Sequence, residues 1–257
     1  MTDKRIVVIS DLHCGHLVGL TPPPWQTTKR KKWAKIQEEL YGEYKRMVTE
    51  NYKPDVLIVN ADCIDGRGEK SGGTELIVTD RLEQCEMATY AINEWAAEHI
   101  VMTYGTPYHT GTHEDFERVI ADRVGADKLG SHEWIEVNGV IFDIKHKTGS
   151  STIPHGKGTP ISKERLWNVI WAEHDEQPKS DVLIRSHVHY YYFTGERHWL
   201  GLTTPALQGQ GSKFGARQCV GHVDFGIVTF SVAESGAYSW KPDIVVVNSQ
   251  KAKILRF

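Results

Sequence analysis

The chain has 257 residues, of which 40% are hydrophobic, and this length is enough to enclose one large core. We therefore expect a single domain over residues 1–257. Its 30 basic and 33 acidic side chains leave a formal net charge of −3, which argues against a nucleic-acid protein that depends on bulk positive charge. The unusual feature is a set of 13 scattered histidines, because a neutral imidazole is the commonest metal ligand.

No stretch approaches the roughly 18 apolar residues that a membrane span requires, and the first residues lack the apolar region of a signal peptide. We expect a cytoplasmic protein without a membrane partner. The cysteines show no Cys-x-x-Cys spacing and are too few for a disulfide framework in a chain of this length. We expect free thiols at Cys14, Cys63, Cys85 and Cys219.

Strands and helices alternate in the first half of the chain. The predicted strands are residues 5–9, 55–59 and 99–104, each a short apolar run that ends at polar residues. The predicted helices between them are residues 31–50 and 74–99. This alternation is typical of a parallel α/β core.

The second half is mainly strand-like. A hairpin is predicted at residues 134–145, because Asn138-Gly139 is a favoured two-residue turn between two apolar runs. Short helices are predicted at residues 114–124 and 162–174. The remaining predicted strands are residues 182–185, 190–194, 198–202, 223–232 and 244–247.

Potential metal ligands follow the ends of the predicted strands. Ligand groups collect in open α/β sheets where strands end, so this placement is typical of a functional site. Carboxylates combined with imidazoles suit zinc, manganese or iron. The strand-end donors are Asp11, His13, Asp62, Asp65, His109, His146, His187 and His189.

The donor number exceeds what one ion needs. Two ions that share a carboxylate, roughly 3.5–4 Å apart, are typical of phosphatases and nucleases, and they would use such a set. We therefore expect a dinuclear site. Its six predicted ligands are Asp11, His13, Asp62, His146, His187 and His189.

The order of these motifs over about residues 5–193 resembles that of the calcineurin-like metallophosphoesterases. That family has Asp-x-His, Gly-Asp-x-x-Asp, Gly-Asn-His, a lone His and Gly-His-x-His. Asp11 to His13 matches the first motif, and His146 matches the lone histidine. The second and last motifs match with Ala61 and Ser186 in place of glycine.

The resemblance implies a four-layer αββα sandwich of two mixed sheets flanked by helices. It also implies hydrolysis of a phosphoester by a hydroxide that bridges two divalent cations, without a covalent protein nucleophile. Manganese is the expected metal, with zinc, iron or nickel as alternatives. Asp65 would orient a ligand or water. The implied ligands are Asp11, His13, Asp62 and His189 for the first ion, and Asp62, His146 and His187 for the second.

One motif departs from the family. Residues 105–109 read Gly-Thr-Pro-Tyr-His where Gly-Asn-His is expected, so the asparagine ligand is missing. Thr106, His109 or a water would complete the coordination of the second ion. We favour His109 as the histidine that protonates or stabilises the leaving oxygen. His113 is its rival, and His16, three residues after His13, is a further candidate near the site.

Three alternatives accompany the phosphodiesterase or phosphatase hypothesis. A basic run at residues 29–32, near Lys35, Trp25 and Trp33, is compatible with a metal-dependent nuclease acting on DNA or RNA, or simply with a solvated helix start. An inactive phosphoesterase-fold binding scaffold is the alternative of another class. Metallo-β-lactamase-like chemistry is excluded, because Tyr191 stands where His-x-His-x-Asp-His requires aspartate. The substrate stays open among phosphomonoesters, nucleotide diesters and nucleic acid.

Overall fold

A computed structural model describes residues 2–26, 31–110, 115–210, 222–251, 254 and 256. Its helices are α1 (Lys31–Glu50), α2 (Arg81–Asn93), α3 (Pro107–Thr110), α4 (Phe116–Val124) and α5 (Thr159–Glu173). Its strands are β1 (Lys4–Ile9), β2 (Val56–Val59), β3 (His99–Thr103), β4 (Lys128–Gly130), β5 (Glu133–Val137), β6 (Val140–Ile144), β7 (Val182–Arg185), β8 (Tyr192–Glu196), β9 (Trp199–Thr203), β10 (Phe225–Val232) and β11 (Tyr238–Val245).

The first sheet has the strand order β11-β10-β1-β2-β3-β4. Strands β1 to β3 are parallel, as the alternation of strands and helices predicts, and β4, which was not predicted, pairs parallel to β3. Strand β10 pairs antiparallel with both β1 and β11. The central strands are apolar along their whole length because both faces are covered. In β1, Ile6 and Val8 face the second sheet, and Val7 and Ile9 face the helices.

The second sheet has the order β5-β6-β7-β9-β8 and is also mixed. Strands β6, β7 and β9 are parallel, whereas β5 and β8 pair antiparallel to their neighbours. Asn138 and Gly139 form the predicted hairpin turn between β5 and β6, with φ angles of 47° and 81°. Positive φ at both central positions is what the favoured two-residue turn requires.

The two sheets pack face to face through one hydrophobic cluster, in which the rings of Phe142 and Phe230 lie 5.3 Å apart. Buried side chains of α1, α2 and α4 cover the outer face of the first sheet. On the outer face of the second, Ile161 of α5 lies against Gly201 of β9. These layers confirm the predicted αββα sandwich.

Two predicted boundaries were wrong. The helix expected at residues 74–99 covers only Arg81–Asn93, because the Asp80 carboxylate caps it by accepting the N–H groups of Leu82 and Glu83. Residues 66–79 form a loop instead. The last strand begins at Tyr238 instead of residue 244, because its whole length pairs with β10.

Two expectations concern membranes and thiols. Among the described residues, no helix is both long and apolar enough to span a bilayer. Cys14, Cys63 and Cys85 are buried free thiols, as predicted. Cys219 lies outside the described residues.

Candidate metal centre

The predicted donors converge at one edge of the sandwich, beyond the carboxyl ends of strands from both sheets. Strand β1 leads to Asp11 and His13, and β2 leads to Asp62. From the second sheet, β6 leads to His146 and β7 leads to the residues that follow Arg185. Parallel strands place their carboxyl ends at the same edge, which is why residues distant in sequence meet here.

The backbone turns sharply at the donors themselves. Left-handed backbone is unfavourable for residues other than glycine and is concentrated at functional sites. Ala61, which stands where the resembled family has glycine, has a φ of 62°, so the position does require a conformation that glycine adopts most easily. The donors with positive φ are Asp11 (52°), His13 (44°), Asp62 (48°), His187 (74°) and His189 (58°).

Asp11, His13 and His189 form the first donor group. The Nε2 atoms of the two histidines are 3.1 Å apart, and His189 Nε2 lies 3.2 Å from Asp11 Oδ1. Their ligand atoms all lie within 4.8 Å of one another. Asp11 is fully buried, and the 3.2 Å approach of His189 Nε2 to its Oδ1 is not aligned as a hydrogen bond. A bound cation would satisfy this carboxylate oxygen, which would otherwise be costly to bury.

Asp62, His146 and His187 form the second donor group. His146 Nε2 lies 2.9 Å from Asp62 Oδ2, and His187 Nδ1 lies 3.9 Å from the same oxygen. The other ring nitrogen of His146 is 2.7 Å from the carbonyl oxygen of Asn60 and donates to it. This contact orients the imidazole so that Nε2 faces the site, an arrangement common around metal ligands.

The charges in the centre suit a cation. Burial opposes ionisation of Asp11, but His189 and His146 lower its pKa to about 2. Burial also opposes ionisation of Asp62, yet His146 holds the pKa of that carboxyl well below its usual range. Burial and the neighbouring His109 lower the pKa of His13 to about 4. The site therefore combines anionic carboxylates with a neutral His13. Although burial opposes it, Asp62 raises the pKa of His146 to about 9, so a cation would displace the proton of that imidazole.

The divergent motif contacts the same centre. The Thr106 N–H donates to Asp62 Oδ1 over 2.7 Å, and the Thr106 hydroxyl lies 3.3 Å from that oxygen. Thr106, which stands where the resembled family has asparagine, thus donates hydrogen bonds to the Asp62 carboxylate. The structure places its hydroxyl beside the centre, as an additional oxygen next to the second donor group.

His109, at the end of the same motif, lies between both donor groups. Its Nδ1 is 3.0 Å from the carbonyl oxygen of Asp65, and its Nε2 is 3.9 Å from Asp62 Oδ2. With His13 and Asp62 it also forms a third group whose ligand atoms lie within 4.8 Å. The geometry is therefore compatible with proton transfer to substrate and with metal ligation.

Asp65 and His16 take different places. Asp65 Oδ1 lies 3.4 Å from His13 Nδ1, where it can orient that imidazole as expected. His16 is absent from the three donor groups of the described residues, and its Nε2 lies 3.7 Å from Glu75. The rival His113 lies outside the described residues.

The basic run at residues 29–32 continues into α1, which begins at Lys31. Lys29 and Arg30 lie outside the described residues, so the nuclease alternative stays a prediction. Trp25 donates its Nε1–H to Glu83 over 3.1 Å, and both Trp25 and Trp33 pack against the core between the first sheet and its helices. This packing is the ordinary role expected of tryptophans beside a helix start.

Sequence reasoning missed the buried supports of the site. Asn60, directly before the second motif, contacts His146 through its carbonyl group. Its side chain donates to Ser186 Oγ over 2.7 Å and accepts from the Thr103 hydroxyl over 2.6 Å. Asn60 thereby connects the ends of β2, β3 and β7. Its signal in the sequence was a polar residue at the end of a fully apolar strand.

A buried ionic cluster lies beneath the centre. Arg185, the last residue of β7, is 1% exposed and lies 2.7 Å from Asp143 Oδ1 of β6. It also donates to Glu164 of α5. This cluster connects the strands that carry His146 and His187.

No protein-family model matches the sequence, and no curated protein matches it significantly. Solved structures do resemble it. Vacuolar protein sorting 29 complexed with zinc, from Entamoeba histolytica, is 13% identical over 93% of this chain and 98% of that chain, with a TM-score of 0.42. An archaeal phosphodiesterase is 14% identical over 93% of this chain and 99% of that chain, with a TM-score of 0.47. Vacuolar protein sorting 29 from Cryptosporidium parvum is 11% identical over 95% of this chain and 99% of that chain, with a TM-score of 0.48.

These likenesses are too distant to carry an assignment of activity. The strand order and the layers are the direct observations on the fold. They show the four-layer sandwich that the resemblance to the calcineurin-like metallophosphoesterases implies.

Proposed function

We propose that the chain is a phosphoester hydrolase, a phosphodiesterase or phosphatase, that uses two divalent cations. The observation that carries this proposal is the convergence of two three-donor groups at one edge of the sandwich. The two groups are close, because Asp11 Oδ1 of the first lies 3.9 Å from His146 Nε2 of the second. The Nε2 atoms of His13, His146 and His189 all lie within 3.9 Å of the buried Asp11 Oδ1, and this arrangement of imidazoles around a carboxylate supports the metal hypothesis.

Each group would hold one cation. Asp11, His13 and His189 would hold the first, and His146 and His187 the second, with Asp62 shared between them. The donors suit manganese, zinc, iron or nickel. When bound, two such ions lower the pKa of water towards neutrality and offset the negative charge that develops on the phosphoryl oxygens.

His109 would act on the leaving group. Its Nδ1–H donates to the Asp65 carbonyl oxygen, which leaves Nε2 facing the centre. In the imidazolium form, Nε2 carries the proton that a departing alkoxide needs. Asp65 would support this role, since its carbonyl oxygen accepts the hydrogen bond that orients His109 and its carboxylate faces His13.

The test begins with chelator-treated protein, in which metal content is measured before and after each divalent ion is added. We expect about two ions to bind and to restore hydrolysis of bis-p-nitrophenyl phosphate, with manganese most effective. Asp62→Asn should abolish turnover. The matched control is His198→Ala, which removes an exposed histidine outside the donor groups.

Two results would contradict the proposal. Protein that binds no metal would remove its basis. Protein that binds the ions but turns over neither mono- nor diesters with any of them would instead support a binding scaffold.

A further inference from the structure

A cavity of about 180 Å³ opens beside the candidate metal centre. We infer that it is the subsite for the leaving group, and that it selects phosphodiesters whose leaving alcohol is uncharged and carries hydroxyl groups, such as a nucleoside. This inference rests on the proposed function. It names the substrate class that this site would prefer.

The cavity is continuous with the centre. His13, His109 and His189 form the wall nearest the donors. Since Nε2 of His109 faces the centre and its ring lines the cavity, a group leaving towards His109 enters this space. Tyr108 adds an aromatic surface, with its ring edge-on to that of His109 at 4.6 Å.

Two buried carboxylates form an acidic wall of the cavity. They belong to Asp65 and Glu75, each at most 6% exposed, and the polar side chains of Ser71 and Gln208 also line the cavity. No lysine or arginine lines the cavity within the part of the chain that the structure describes.

The Glu75 carboxylate lies beside the His16 imidazole. The Val18 N–H donates to His16 Nδ1 over 3.2 Å, so neutral His16 carries its proton on Nε2. That nitrogen lies 3.7 Å from Glu75 Oε2. His16, which sequence analysis placed near the site without a role, thus lies beside the Glu75 carboxylate at the cavity wall.

The loop that carries Glu75 is fixed in place. Leu17 donates its N–H to the Glu75 carbonyl oxygen over 2.8 Å, and Ile77 donates to that of Gly15 over 2.8 Å. The buried amide of Gln84 joins the two ends of the loop, since it accepts from the Gly66 N–H and donates to the carbonyl oxygen of Val78. The subsite is therefore preorganised, which reduces the entropy lost when a ligand binds.

This chemistry separates two kinds of substrate. Carboxylates accept hydrogen bonds from hydroxyl groups, so a sugar fits the wall. A further phosphate on the leaving nucleoside would lie next to Asp65 and Glu75, and repulsion between like charges at this distance is unfavourable. When an internal bond of a polynucleotide is cleaved, the leaving nucleoside always carries such a further phosphate. The cavity therefore favours small diesters over nucleic acid.

The test compares two substrates, thymidylyl-(3′→5′)-thymidine and the same dinucleotide with a phosphate on each terminus. In either direction of cleavage, one product keeps the scissile phosphate. The leaving alcohol is thymidine for the first substrate and a phosphorylated thymidine for the second. We expect the manganese-loaded wild type to prefer the first in kcat/KM by about tenfold or more. Glu75→Gln should reduce this preference to within about threefold, and Ser71→Lys should do so by adding a cation.

The control variant is Glu69→Gln, which makes the same change of charge at an exposed residue outside the cavity and should retain the full preference. Binding of both dinucleotides is measured in parallel. A shift of the binding preference in Glu75→Gln without any hydrolysis would support the subsite and overturn the proposed function. Hydrolysis with no preference, or with a preference that neither Glu75→Gln nor Ser71→Lys changes, would overturn the subsite alone.

Discussion

Nε2 of His13 and Nε2 of His189 face each other at 3.1 Å, although the two residues follow strands of different sheets. Their rings pack with centroids 4.9 Å apart. A cation held between them would connect the two sheets directly. We therefore expect metal binding and the packing of the sandwich to be coupled.

Replacing His189 by alanine should reduce metal content. The variant removes one of three donors of the first group, so we expect about one metal equivalent fewer than in the wild type, measured by elemental analysis after dialysis. His198→Ala serves as the control, because it deletes an exposed histidine of the same chain. Equal metal content in His189→Ala and the control would argue against His189 as a ligand.

Removal of the metal should destabilise the fold. A ligand that binds only the native state stabilises it by about 4 kcal/mol when present at a thousand times its Kd. We therefore expect a chelator to lower the Tm by several degrees in the wild type and by much less in Asp11→Asn, whose carboxylate is lost from the first group. An unchanged Tm after complete metal removal would show that the ions do not stabilise the two-sheet packing.

His109→Ala distinguishes an acid from a ligand. We expect kcat to fall by roughly 10²–10⁴ with metal content unchanged, because general acid catalysis typically contributes this much. Turnover and metal content are measured on the same preparation. The loss of a metal equivalent would assign His109 to the third donor group as a ligand instead.

Gly105→Ala should disturb Asp62. A Cβ added at Gly105 would overlap Asp62 Oδ1 and lie 2.9 Å from the Asp62 amide nitrogen. Overpacking of this kind costs about 1–3 kcal/mol, so we expect a lower free energy of unfolding and weaker metal binding. The control is Gly42→Ala in α1, where an added Cβ meets no atom within 4 Å and helix propensity should raise stability by about 0.5–1 kcal/mol. Full metal affinity in Gly105→Ala would show that the backbone here yields to the added atom.

The buried ionic cluster of Arg185, Asp143 and Glu164 should determine part of the loss of stability at acid pH. Burial opposes ionisation of Asp143, but Arg185 lowers its pKa, so the folded state binds its proton less readily than the unfolded chain. Its contribution to stability is therefore present above about pH 4 and is lost as the pH falls through the lowered folded pKa.

Asp143→Asn should lower the free energy of unfolding at pH 7 by about 1–3 kcal/mol, since the buried Arg185 loses one of its two carboxylate partners and keeps Glu164. Its stability should then depend less on pH below about pH 4 than that of the wild type. Urea unfolding of metal-free protein at several pH values measures both effects, with Asp3→Asn as an exposed control. If the free energy of unfolding of the variant fell as steeply with decreasing pH as that of the wild type, another carboxyl would dominate the acid sensitivity.

Sequence analysis located the donors because each follows a strand that is apolar along its length. The resemblance assigned Asp62 to both ions, but side-chain distances across the site were needed to group Asp62 with His146 and His187. Sequence analysis also extended a helix over residues 74–80, because apolar spacing alone does not reveal that Asp80 caps the helix. The loop that resulted carries Glu75, which no motif marks.

The sequence by itself determined the order of strands and motifs, and with it the edge at which Asp11, Asp62 and His146 meet. It could do so because parallel strands place their carboxyl ends together regardless of the segments between them. Only the tertiary structure decided which imidazoles are neighbours and that His16 faces Glu75 beside a cavity. These contacts depend on how two sheets and a long loop pack, and short-range patterns in a sequence carry no record of that packing.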